Sequence, residues 1–143
     1  MNKGLGFLPD VLTSACAVNC TFVLSGYSTS PASSRAFRKV RRRLDDISYR
    51  RSCPYIAFSD RHNQQLNSAL VRAAADIVVI PSQSEAYGLV AAESLAYGAI
   101  PVVSAVGGLP EIITAFDALS RETSRWTGFE FPFFVEDMQL TSA

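Results

Sequence analysis

Two rhythms of apolar residues alternate along the chain. Leu5, Leu8, Leu12 and Ala15 recur at helical spacing. Pro9 is tolerated only in a first turn, so this helix starts near Leu8 or Pro9. TFVLSG, from Thr21 to Gly26, is short, rich in β-formers and stopped by glycine, which predicts a buried strand. Ser28 to Ser34 contains Pro31 and several serines and is expected to be a loop. A basic helix is predicted from about Ser34 to Ile47.

The alternation then repeats. PYIAF, Pro54 to Phe58, is a second strand, and Asp60 is placed to cap a helix from about His62 to Ala75. Leu66, Ala69, Leu70 and Ala73 form the apolar stripe of that helix. DIVVIPS, Asp76 to Ser82, is a third strand, apolar enough to be covered on both faces. Ser82 to Tyr87 is a loop, Gly88 to Tyr97 a helix, and Gly98 sits where a left-handed cap is wanted. Ile100 to Ser104 is a fourth strand. Leu109 to Ala115 is a helix with Pro110 in its first turn, and Gly128 to Phe131 is a last short strand. Strands alternating with helices predict an α/β fold, a Rossmann-like parallel sheet with helices on both faces.

Length adds that 143 residues fit one domain. An apolar content of 48% argues against disorder. No apolar run approaches the ~20 residues of a spanning helix, and Pro9 with Asp10 interrupts any secretory signal pattern. Cys16, Cys20 and Cys53 are odd in number and lack C-x-x-C spacing, so reduced thiols and a cytoplasmic location are expected. With His62 as the lone histidine, no metal site is expected. Net charge is zero but divided. Eight basic residues lie in 35–51 against Asp45 and Asp46, whereas 76–143 carries nine acids against Arg121 and Arg125. Phe37 and Tyr49 are the only aromatics in the basic run, which reads as a solvated helix face rather than a nucleic-acid surface.

Ligands of parallel α/β sheets bind outside the carboxyl ends of the strands. Glu85 and Glu93 fall there, eight residues apart around Gly88. A loop carboxylate at Glu85 can accept hydrogen bonds from two neighbouring sugar hydroxyls. Glu93, about one and a half turns into the helix, can reach back toward the helix start. A phosphate over the Gly88 and Leu89 amides would sit at a helix N-terminus. The turn Gly107-Gly108 offers a second close backbone approach, or simply a tight strand-to-helix turn. Each acid alone reads as a solvated or dipole-facing residue; together they point to a polyhydroxylated, phosphate-bearing ligand. Ser82 lacks a G-x-S-x-G context and is read as a turn residue.

These stretches resemble the C-terminal, donor-binding half of retaining glycosyltransferases of the two-domain GT-B architecture. The resemblance rests on Lys3-Gly4-Leu5, TFVLSG, the E-x7-E block from Ala75 to Val103, VGGLPEII and TGFEF, in order over most of the chain. It implies that Lys3 contacts the donor diphosphate, Glu85 holds hydroxyls of the transferred sugar, and Glu93 binds the nucleotide ribose. It also implies that Gly88 and Leu89 lie near diphosphate and sugar, and that Gly107 and Gly108 border the pocket. Glu93 and GGLPE are closer to the sucrose-phosphate-synthase-like and mannosyltransferase branch. The Ser120–Trp126 insertion is closer to starch and glycogen synthases.

The donor implied is a UDP-, ADP- or GDP-hexose, with no cofactor, and the acceptor is a glycan or small molecule. The acceptor site, usually with a catalytic histidine, belongs to another half of such enzymes. The chain is therefore expected to be a single partial domain over 1–143, with an insertion at 117–127 and a tail at 132–143. It is expected to bind a donor without transferring it, and to self-associate through an exposed apolar edge. The alternative is a non-catalytic remnant acting by protein contact.

Overall fold

The computed structural model describes residues 4–26, 30–58, 64–117 and 126–132. Lys3, Asp60, His62, the centre of the insertion and all but the start of the tail lie outside the described residues. The chain divides into two compact units, one of Leu5–Val71 and one of Met1–Gly4 with Arg72–Ala143.

The first unit begins with a 3-10 turn, Leu5–Phe7, and α1, Leu8–Ala17, which has proline in its first turn as predicted. β1, Phe22–Ser25, pairs in parallel with β2, Tyr55–Phe58, placing Phe22 opposite Tyr55. Between them runs α2, Pro31–Arg51. It starts three residues earlier than expected because Ser30 and Ser33 form a reciprocal capping box. The Ser33 N–H donates to Ser30 Oγ at 3.2 Å, and the Ser30 N–H donates to Ser33 Oγ at 3.0 Å. Serine and proline mark loops and helix starts alike, and only the capping geometry separates the two. Leu8, Leu12, Leu24, Val40 and Leu44 form the core, with Leu12 and Leu44 fully buried. Turning Val40 and Leu44 inward leaves Arg35, Arg38, Lys39, Arg42 and Arg43 exposed along an open groove.

The expectation of reduced thiols is overturned for two cysteines. Cys16 in α1 and Cys53 just beyond α2 are joined in a disulfide, their Cα atoms 5.7 Å apart. Such a separation suits a disulfide, and it arises because α1 packs on α2, a contact that cysteine spacing does not reveal. Cys20 is a free, exposed thiol. No group of metal-ligating side chains is found among the described residues.

The second unit holds β3, Ile77–Ile80, α4, Leu89–Ala96, β4, Ile100–Ser104, α5, Leu109–Ile112, and β5, Phe129–Phe131. Its sheet has the order β3-β4-β5 with every pair parallel. The parallel pairing expected from the strand–helix alternation is present, distributed over a two-stranded and a three-stranded sheet. Ile80, Ala91, Val103, Leu109 and Ile113 form this unit's core. Full coverage of the third strand holds at Ile80 but not at Ile77, which is exposed at the strand's start. α5 stops at Ile112 rather than Ala115, because Ile113 turns extended and Ala115 bridges Gly128 in parallel. Joining the sheet outcompetes another helical turn. α3, Gln64–Ala74, crosses the boundary between the units at Val71 and Arg72. No helix among the described residues is long and apolar enough to cross a membrane.

Candidate functional site

β3 and β4 are parallel neighbours, so the loops at their carboxyl ends share one edge of the sheet. Residues 81–88 follow β3 and residues 105–108 follow β4. Backbone contacts weld the two loops together. The Gly108 N–H donates to the Glu85 carbonyl at 3.3 Å. Gly107 has a φ of +54°, and a Cβ there would collide with the same Glu85 carbonyl. A side chain at Gly107 is thus excluded by conformation and by space. Both sequence readings of this turn, a required left-handed conformation and a close backbone approach, describe one contact.

Glu85 is half-buried. Ser82, itself buried, points its hydroxyl at Glu85 Oε2 across 3.4 Å. The Ser104 hydroxyl, at the end of β4, donates to the Ser82 carbonyl at 2.6 Å. A chain from Ser104 through Ser82 therefore supports the Glu85 loop. Sequence reasoning marks Ser82 only as a turn residue and misses Ser104. The one available signal is a serine at the carboxyl end of each of two adjacent strands.

Gly88 is the N-cap of α4, with a φ of +67°, buried against Leu109 and Ile112. Leu89 follows as the first helical residue, its side chain exposed. The first amides of a helix have no acceptor inside it and carry the positive end of the dipole. α4 turns Ala91 and Ser94 inward and leaves Glu93 outward. The Ser94 hydroxyl is satisfied by the Val90 carbonyl at 2.6 Å. Glu93 meets Arg72 at the end of α3, with Nη2 3.0 Å from Oε2. Sequence reasoning misses Arg72; a cation just before a buried strand carries no motif to mark it.

The structure thus brings Glu85, Gly88, Gly107 and Gly108 into one packed edge, with Leu89 opening the helix beside them. Glu93 stands on the same helix, paired with Arg72. Gly4 is buried, and a Cβ there would strike the Pro81 carbonyl, so the residue after Lys3 lies against the start of this edge. Lys3 itself is outside the described residues.

Parallel sheets with helices, carrying a glycine turn and a helix start at one sheet edge, define an α/β half-domain. The family profile described as glycosyl transferases group 1 matches residues 18–131, and the chain belongs to that family. It is 32% identical over 140 residues to the glycogen synthase of Anaeromyxobacter sp. (strain K), covering 98% of this chain and 26% of that protein. It is 36% identical over 115 residues to glycogen synthase 1 of Synechococcus sp. (strain JA-3-3Ab), covering 80% and 22%. The chain spans about a quarter of the length of the curated relatives it matches. Among solved structures it is similar to the catalytic domain of Starch Synthase IV from Arabidopsis thaliana bound to ADP and acarbose. That match has a TM-score of 0.69 at 22% identity, covering 98% of this chain and 27% of that one. The fold is that of a GT-B half-domain, and these relatives lie in the starch and glycogen synthase branch.

Proposed function

We propose that this chain binds the nucleotide-sugar donor of a retaining hexosyl transfer, a UDP-, ADP- or GDP-hexose. The observation that carries the reading is the packed edge: the Glu85 loop, the Gly88 start of α4 and the Gly107-Gly108 turn held together by the Gly108-to-Glu85 bond. The ADP bound to the similar starch synthase domain supports the same ligand class.

In this reading Glu85, steadied from Ser82, accepts hydrogen bonds from hydroxyls of the sugar. Glu93 accepts those of the ribose. The amides of Gly88 and Leu89 and the dipole of α4 face the diphosphate, with Lys3 as its counter-charge. As the bond from sugar to diphosphate breaks, these groups stabilise the charge gathering on the leaving diphosphate. The acceptor, a glycan or a small hydroxyl compound, is met by other parts of the enzyme, and this chain alone holds the donor without transferring it.

Titration calorimetry with ADP, UDP and GDP tests the reading. At least one is expected to bind, and Glu93→Ala is expected to weaken that binding about tenfold, the worth of a hydrogen bond to a charged group. Absence of heat with all three nucleotides, on protein with an intact circular dichroism spectrum, would sink it.

A further inference from the structure

We propose that Arg72 is a positioning residue for Glu93 and thereby sets recognition of the ribose hydroxyls; this rests on the ribose role given to Glu93 above. Arg72 closes α3 and reaches Glu93 Oε2 with Nη2 at 3.0 Å. The two partners are unequally placed. The arginine side chain is 18% exposed and the carboxylate 50%, so the cation is the more buried member and the acid faces solvent.

As a stabilising device the pair is poor. Half-exposed ion pairs contribute little, and the Arg72 Nε is buried with no hydrogen-bond partner among the described residues. A buried donor left in that state calls for a reason other than stability. Its geometry supplies one. A carboxylate has about four acceptor positions on two oxygens, and arginine can only donate. The charge of Nη2 beside Oε2 restrains the rotation of the carboxylate while leaving Oε1 and the outer side of Oε2 for incoming hydroxyls. Two adjacent hydroxyls, as on ribose, need both oxygens presented in one orientation. An unrestrained glutamate on an exposed helix face would have to be ordered by the ligand itself.

The proposal is tested by discrimination rather than affinity. ADP, UDP and GDP are titrated into the chain, each beside its 2′,3′-dideoxy analogue. The unaltered chain is expected to favour the ribonucleotide about tenfold. Arg72→Met should reduce that preference at least about threefold by weakening the ribonucleotide, with the dideoxy analogue unchanged. Arg72→Lys, which keeps a donor but offers a single point charge, should fall between the two, and it carries the test if Arg72→Met does not fold. Full preference in a folded Arg72 variant, with Glu93→Gln abolishing it, would overturn the role of Arg72 alone. Binding without ribose preference in the unaltered chain would overturn the role of Glu93, and that of Arg72 with it.

Discussion

The two units of this chain are built on the same strand–helix alternation and differ in almost everything else. Leu5–Val71 carries nine basic residues against four acids, and the remainder carries nine acids against four basic residues. The basic unit is held by a disulfide, a long capped helix and a leucine-rich core. The acidic unit has a core of its own, around Val103 and Leu109, and adds backbone contacts between loops and serines at strand ends. The glycines and acids singled out from the sequence, Glu85, Gly88, Glu93, Gly107 and Gly108, all fall in the acidic unit. The same secondary-structure plan is thus reinforced in two ways. A packed core stabilises each unit; a cross-link is added in one, and glycine turns join two loops in the other.

That contrast can be broken experimentally. The largest effect should come from reducing Cys16–Cys53. A cross-link over 37 residues contributes about 2–4 kcal/mol, so the urea midpoint should fall when dithiothreitol is present. Nucleotide affinity should be unchanged at temperatures where the reduced chain stays folded; a parallel loss of affinity would show that the division of labour is wrong. Next is Gly107→Val. A β-branched residue forced to positive φ against the Glu85 carbonyl should cost about 1–3 kcal/mol and abolish nucleotide binding. Retained binding at unaltered affinity would mean that the glycine turn does not shape the site.

The smallest effect is a pH dependence confined to the basic unit. Burial, and then its hydrogen bond to Asp45 at 2.6 Å, push the Tyr55 hydroxyl up to about 12 from the usual 10.0. The folded state therefore holds this proton more tightly than the unfolded chain. Its contribution is fully present below pH 10 and is lost as pH rises toward 12. Tyrosinate absorbance should include a late-titrating step that disappears in Tyr55→Phe, and this variant should lose less stability over that window.

Much of the scaffold can be read without coordinates, for local reasons. Ile100–Ser104 is a strand with the expected bounds because its apolar run lies between Gly98 and the glycine turn. Gly98 takes its left-handed φ of +82° just beyond α4, as a helix-ending glycine does. One miss has a local cause and another a distant one. Ser30 and Pro31 look the same in a loop and in a capping box. The end of α5 is set by Ala115 pairing with Gly128, which no pattern within residues 109–115 encodes.

The candidate site divides along the same line. The residue types and their spacing, Glu85 and Glu93 around Gly88 with Gly107-Gly108 beyond the next strand, were determined by the sequence alone, since spacing on a helix and turn chemistry are local properties. Tertiary structure decided which groups support them. Ser104 and Ser82 meet because β3 and β4 are neighbours, Arg72 meets Glu93 because α3 ends beside α4, and Cys16 finds Cys53 because α1 packs on α2. Each of these partners is 21 or more residues from its mate in the chain. Contacts at that range depend on how elements pack, and a linear pattern carries no record of it.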